Sequence, residues 1–226
     1  MVSIVTWLWQ GSRAYLPEHV NTLAGMFRRT LSIPHNFICI SDTPDGFSPC
    51  VQVMPMPESA GWLTGFLTPE GEHFPSCYRR LWMFSEDAKV LGDRVLLVDI
   101  DMIVMRDTSH LFDAKADFVG WQPRTQWGDK PRIGGGIYLL TPGARTDVYE
   151  DFCGPSSIRE ARAAGYRGSD QAWMSYKLQG CEVWPDEAGI YSQSDVKGHL
   201  DKASIVQFNG KAKPWNSKGW HTEYWK

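Results

Sequence analysis

Short apolar runs alternate with amphipathic stretches along this 226-residue chain, and that alternation predicts its elements. Ile4 to Trp9 reads as a first strand. Pro17 then opens a helix that carries Val20, Leu23, Phe27 and Leu31 on one stripe. Phe37 to Ile40 reads as a second strand, ending at the turn cluster Ser41-Asp42-Thr43-Pro44-Asp45-Gly46. Val51 to Met56 reads as a third, followed by a Pro/Gly-rich loop through Pro75. Leu81, Phe84, Ala88 and Leu91 trace a second helix leading into the apolar run that begins at Arg94. This order predicts an α/β fold with a mostly parallel central sheet flanked by helices. The length suits one domain over 1–226.

The second half is less regular. Asp117 to Trp121 and Gly136 to Thr141 read as strands, the latter entered through Gly134-Gly135-Gly136, where glycines mark a bend or the close approach of a ligand. Ser157-Ile158-Arg159-Glu160 has the form of a capping box, and Gly165 of a helix stop. Ser169 caps another helix, with Asp170 and Gln171 in its first turn. The helix dipole alone favours an acid there, so a structural role for Asp170 stands beside a chemical one.

Candidate chemistry centres on Val98-Asp99-Ile100-Asp101-Met102. Buried carboxylates are costly unless paired or bound to a cation, and alternation along a strand puts Asp99 and Asp101 on one face with Ile100 on the other. Two hard oxygen ligands at a strand end suit Mg²⁺ or Mn²⁺ carrying phosphate oxygens. A solvated turn is the plainer alternative, but the apolar run resumes at Met102-Ile103-Val104. Ligands gather at the carboxyl ends of parallel strands, so Thr6-Trp7, Ser41-Asp42 and Asp99/Asp101 are expected to share one cleft.

Composition narrows the partners. With 23 basic and 26 acidic residues the formal charge is −3, without the basic surplus of a duplex-binding protein. Cys39, Cys50, Cys77, Cys153 and Cys181 are scattered, odd in number and without a Cys-x-x-Cys pair, which suggests free thiols in a reducing compartment. No charged leader precedes the first strand, and no apolar run approaches ~18 residues. A cytoplasmic protein without a membrane segment is expected. Eleven tryptophans include Trp62, Trp121, Trp127, Trp215, Trp220 and Trp225 in loop-like surroundings, where core packing and platforms for sugars or bases are both open.

An ordered set of short motifs carries a resemblance. Cys77-Tyr78-Arg79-Arg80-Leu81, Val98-Asp99-Ile100-Asp101, Gly134-Gly135-Gly136-Ile137-Tyr138, Asp170-Gln171 and Phe208-Asn209-Gly210-Lys211-Ala212-Lys213-Pro214-Trp215 together resemble family 8 glycosyltransferases, the glycogenin and bacterial galactosyltransferase group. The resemblance implies a GT-A fold, a nucleotide-diphosphate sugar donor (a UDP-sugar first), and Mn²⁺ or Mg²⁺ between Asp-x-Asp and the diphosphate. It assigns Asp99 to ribose and metal and Asp101 to the metal. Arg80, or alternatively Arg79, would face the donor, Lys213 the diphosphate, and Gly210 would let the backbone approach it. Asp170 and Gln171 would lie by the sugar ring near the reacting carbon. Thr6 and Trp7 would belong to the nucleotide loop, with Trp7 either stacking on the base or packing in the core, and Asp42, at the end of the second strand, is a further candidate for binding the donor. The resemblance further implies retention of anomeric configuration, with Asp170 as a covalent nucleophile or a front-face route without one.

The chain departs from the family pattern at three points. Gln207 stands where the family has a histidine metal ligand, and a carboxamide holds Mn²⁺ less tightly than imidazole; His199 and His221 are the alternatives. Gly134 and Gly135 stand where Asn-Ser is expected, so donor identity does not transfer. Thr6-Trp7-Leu8-Trp9 matches the nucleotide loop only loosely. The acceptor hydroxyl could belong to a glycan, a protein, a small molecule or, less favoured by charge, a modified DNA base. Two other classes compete: a non-catalytic nucleotide-sugar binding protein, and a haloacid-dehalogenase-like phosphatase with Asp99 as nucleophile.

Overall fold

The computed structural model describes residues 1–10, 15–64, 66–67, 76–124 and 130–226; Trp127 and part of the loop before Pro75 lie outside them. β1 (Val2–Leu8), α1 (Pro17–Thr30), β2 (His35–Ser41) and β3 (Gln52–Pro55) open the chain. After α2 (Glu58–Gly61) come β4 (Arg94–Val98), β5 (Met102–Val104), β6 (Phe118–Gly120) and β7 (Ile137–Leu140). The remainder is α3 (Asp147–Glu150), α4 (Pro155–Ala163), α5 (Asp170–Lys177), β8 (Glu182–Val183), β9 (Ile190–Ser192) and β10 (Ile205–Gln207).

Seven strands form the central sheet in the order β3-β2-β1-β4-β7-β6-β8. Neighbours are parallel from β3 through β4 and between β6 and β8, and antiparallel at β4/β7 and β6/β7. The sheet is thus mostly parallel, as the alternating pattern predicts. Side-chain alternation divides its core in two. Ile4, Leu96 and Val98 pack on the α1 side with Leu23 and Phe27, whereas Val5, Trp7, Val95 and Leu97 pack on the opposite side with Leu81 and Trp82.

A second sheet of three strands, β5-β10-β9, has β10 antiparallel to β5 and parallel to β9. Asp99-Ile100-Asp101 is the link between the sheets. Met102-Ile103-Val104 therefore does not prolong β4; it begins a new strand in another sheet. Each end of the link is fixed by backbone hydrogen bonds: Asp99 N–H donates to Gly136 C=O at 2.8 Å, and Phe208 N–H donates to Asp101 C=O at 2.9 Å.

Two local expectations are corrected. The spacing of Leu81, Phe84, Ala88 and Leu91 belongs to two 3₁₀ segments, Ser76–Phe84 and Glu86–Leu91, instead of one α-helix. Three-residue steps align side chains in both helix types, and Ser85 separates the two segments in extended backbone. Ser157 does not cap α4, which begins earlier with Pro155 at its first position after Gly154. Proline suits that first turn, where a backbone N–H is dispensable, and the Ser157 hydroxyl instead accepts from Cys153 N–H at 2.9 Å. Gly165 does follow the end of α4, with φ +92°.

Candidate active site

Three carboxylates and two basic side chains meet where β4 and β10 end and β7 and α5 begin. Asp170, at the first position of α5, is fully buried. Arg80 approaches it from the 3₁₀ segment, donating Nε to Oδ2 at 2.9 Å with Nη2 2.8 Å from the same oxygen. The Ser169 hydroxyl donates to Oδ1 at 2.9 Å. The same guanidinium reaches Asp99 Oδ1 through Nη1, so Arg80 bridges the Asp-x-Asp link and the start of α5.

The surroundings set the charges. Burial of Asp99, reinforced by repulsion from Asp101 and Asp170, pushes its carboxyl up to about 6 against the pull of Arg80. The side chain still keeps 30 % of its exposure, which opens it to solvent on one side. Burial works against the Arg80 charge, but Asp170 and then Asp99 outweigh it and hold the guanidinium well above its usual range. Tyr138 on β7 is buried beside this cluster, and burial raises its hydroxyl far beyond the usual range. Among the described residues its Oη has no hydrogen-bond partner.

Asp101 has a different counter-ion. Lys213 Nζ meets its Oδ2 in an ion pair whose side chains are both only 8 % exposed. The Tyr15 hydroxyl donates to the same oxygen at 3.2 Å, and Lys213 lies over the Tyr15 ring at 5.8 Å. Asp99 and Asp101 therefore have separate basic partners. Trp215, two residues beyond Lys213, stacks on His19 at 3.9 Å and meets Tyr15 edge-on at 5.4 Å. The C-terminal segment is thereby held against the start of α1.

Gln207 closes the set, its Nε2 3.4 Å from Asp99 Oδ2. Glycine at position 136 makes room for both groups: a Cβ there would stand 2.1 Å from Gln207 Nε2 and 2.6 Å from Asp99 Oδ2. Gln171 is lodged similarly, since a Cβ on Gly135 would lie 3.2 Å from its Oε1 and one on Gly168 2.8 Å from its Nε2. Asp99 and Gln207 share the glycine cradle, with the Gln207 amide nitrogen turned toward Asp99, and Asp101 stands apart on Lys213. Their carboxylate and carboxamide oxygens are of the chemical type that Mg²⁺ and Mn²⁺ prefer, but among the described residues no cluster of three or more His, Cys, Asp or Glu is gathered for a metal ion. His199 is instead stacked on Tyr191 at 5.1 Å, and His221 lies against Ser217.

Thr6 and Trp7 lie inside β1: Thr6 is fully buried, and Trp7, 5 % exposed, packs edge-on against Trp82 at 6.1 Å. Trp7 thus takes the core-packing alternative. The aromatic at the strand exit is Trp9, with the Arg79 guanidinium 4.7 Å above its ring. Asp42 sits at the neighbouring exit of β2, where its carboxylate accepts Gln10 N–H at 3.1 and 3.0 Å. Gly210 has φ +70° and open space around it.

Tyr15 and His19 escaped sequence reasoning. Nothing in the pattern before Pro17 distinguishes a tyrosine that reaches a carboxylate 86 positions away. The other loop tryptophans divide: Trp121 is buried against Gly134, Trp215, Trp220 and Trp225 pack on the core, and Trp62 is 43 % exposed. All five cysteines are free thiols. Among the described residues, no helix is long and apolar enough to cross a membrane.

No protein-family model and no curated protein sequence matches the chain. Solved structures do. The galactosyltransferase LgtC, in complex with donor and acceptor sugar analogues, superposes with a TM-score of 0.69 at 14 % identity over 98 % of this chain and 92 % of its own. The glycosyltransferase GlyE of Streptococcus pneumoniae gives 0.61 at 14 % identity, over 100 % of this chain and 60 % of its own. The bifunctional WbbM gives 0.59 at 13 % identity, and 47 % of that longer chain is covered. The architecture of this chain is the GT-A fold of these glycosyltransferases.

Proposed function

We propose that the chain is a glycosyltransferase, one GT-A-like unit over 1–226, that moves a sugar from a nucleotide-diphosphate donor to an acceptor hydroxyl. The observation that carries this reading is the linkage of Asp99 and Asp170 through Arg80, beside the Asp101–Lys213 pair, at the strand ends of this fold. Departure of a nucleoside diphosphate leaves negative charge that preorganised cations stabilise as it develops. Lys213 and Arg80 have the charge for that task. Asp99, Asp101 and Gln207 would hold a Mg²⁺ or Mn²⁺ ion, which when bound would act as a Lewis acid toward the diphosphate.

Asp170 and Gln171 have the chemistry to flank the sugar ring. A buried carboxylate can stabilise an oxocarbenium-like centre, and a carboxamide can orient a hydroxyl. Retention, with the Asp170 carboxylate as nucleophile or electrostatic partner, is the stereochemical outcome we propose. The donor base is proposed as uracil on the resemblance alone. The acceptor is a hydroxyl compound whose class the site leaves open.

A thermal-shift screen of nucleotide-diphosphate sugars, with and without Mn²⁺, tests the reading, because a ligand that binds only the native state raises stability by mass action. The expected result is a shift for one donor class that grows with Mn²⁺. No shift with any donor would overturn it, and a shift without transfer or slow donor hydrolysis would favour a non-catalytic binding protein.

A further inference from the structure

Lys213 has two prospective partners and only one ammonium group. It is buried against Asp101, the carboxylate that the proposed function also gives to the divalent cation, and Tyr15 donates to the same oxygen. Breaking a buried ion pair is strongly unfavourable unless each charge finds a new partner. A divalent ion arriving alone would satisfy Asp101, but it would leave the Lys213 ammonium without its counter-ion and add a like charge beside Arg80. If a diphosphate arrives with the cation, the displaced lysine gains an anionic partner.

The charge inventory points the same way. Asp99, Asp101 and Asp170 carry three negative charges against two positive charges on Arg80 and Lys213, all within the linked pairs described above. A divalent ion alone would turn that small negative excess positive, whereas the ion with a diphosphate would not. The segment bearing Lys213 runs from a glycine to an anchored tryptophan. Gly210, at φ +70° in open space, lies on one side, and Trp215, stacked on His19, lies on the other.

We propose that Lys213 is an exchangeable counter-ion that holds Asp101 until a diphosphate arrives, so that divalent cation and nucleoside diphosphate bind as a coupled pair. This inference rests on the glycosyltransferase reading and adds to it a rule for how the site is filled. Coupling of this kind is reciprocal: the diphosphate must raise cation affinity by the factor with which the cation raises diphosphate affinity.

The test is Mn²⁺ binding, followed by the loss of the free-ion paramagnetic resonance signal, in the wild type and in Lys213→Met, each with and without UDP and corrected for Mn²⁺ bound by UDP itself. Circular dichroism and a melting curve check that the variant is folded. The wild type is expected to bind Mn²⁺ weakly alone and at least tenfold more tightly with UDP. Lys213→Met, with Asp101 uncompensated, is expected to bind Mn²⁺ alone at least tenfold more tightly than the wild type and to lose most of the enhancement by UDP. If Lys213→Met does not fold, Lys213→Arg supplies the comparison: it keeps the charge and should keep the coupling.

Equal Mn²⁺ affinity in wild type and Lys213→Met would overturn the proposal, as would loss of the coupling in a folded Lys213→Arg. Nucleotide binding without any Mn²⁺ binding would also overturn it while leaving the donor reading intact. Binding of neither Mn²⁺ nor any nucleotide would overturn the glycosyltransferase reading itself.

Discussion

A Cβ at position 136 would stand 2.1 Å from the Gln207 amide nitrogen, so Gly136 and Gln207 share a space that admits only one side chain. The antiparallel pairing of β4 with β7 brings this glycine beside Asp99, whose backbone N–H it accepts at 2.8 Å. Gly136→Ala is therefore expected to displace the ends of Gln207 and Asp99 while leaving the backbone in place. The stability cost should fall at the low end of the ~1–3 kcal/mol typical of overpacking, because flexible side-chain ends can yield. Cation-supported donor turnover should drop by an order of magnitude or more. Parallel urea titrations and donor-hydrolysis rates check both parts.

Removing Asp170 has the opposite balance. It is fully buried, and Arg80 spends two nitrogens on it. Asp170→Ala leaves the guanidinium with Asp99 alone, and because that partner remains, the loss should fall at or below the low end of the ~3–5 kcal/mol that an uncompensated buried charge costs. A fall of that size in unfolding free energy, together with loss of turnover, is the expected outcome by chemical denaturation. Asp170→Asn keeps the volume and should lose turnover with a smaller stability cost.

Gln207→His tests the departure at the metal ligand. Imidazole is a better donor to Mn²⁺ than a carboxamide. If Gln207 belongs to the ligand set with Asp99, the variant should bind Mn²⁺ more tightly by calorimetry, on the order of tenfold, by analogy with ligand-sphere changes elsewhere. Unchanged affinity would remove Gln207 from the set.

Away from the site, Asp107 sets a pH dependence of stability. Its carboxylate accepts from Ser32 N and Oγ at 3.0 and 2.7 Å and from Ser109 N and Oγ at 3.0 and 2.8 Å. Slight desolvation pushes the carboxyl up, but these four hydrogen bonds outweigh it and hold it well below the usual carboxylate range. With the folded pKa depressed, its contribution is present above the unfolded value of about 3.9 and is lost as pH falls below it. Asp107→Asn should lower the urea midpoint at pH 7, and the gap from wild type should narrow below pH 4.

Most strands of the central sheet were legible because apolar runs bounded by turn clusters are local signals: β1, β2, β3, β6 and β7 lie within a few residues of where the pattern puts them, whereas β5, β8, β9 and β10, of two or three residues each, are too short to give such a signal. The helix before β4 was not, because a three-residue spacing leaves 3₁₀ and α geometry unresolved. Trp7 shows a different limit. Its place in the strand was legible, but only alternation in the finished sheet turns it toward Trp82 and leaves Trp9 at the exit. In the candidate site, Asp99 and Asp101 stood out by residue type and spacing, and Asp170, Gln207 and Lys213 only through the family resemblance. Their partition into an Arg80-linked set and a Lys213–Tyr15 set was not, since it depends on the chain crossing from one sheet to another at Ile100.

Donor hydrolysis is the most direct test of the site assignment, because it requires the donor chemistry without the unidentified acceptor. Release of nucleoside diphosphate from a panel of nucleotide-diphosphate sugars, measured with Mn²⁺ for the wild type and for a folded Asp101→Asn variant, should show turnover of one donor class by the wild type. The variant should show none. Full turnover by Asp101→Asn, or release of phosphate from a simple phosphomonoester in place of donor turnover, would contradict the glycosyltransferase site built around Asp99, Asp101 and Asp170.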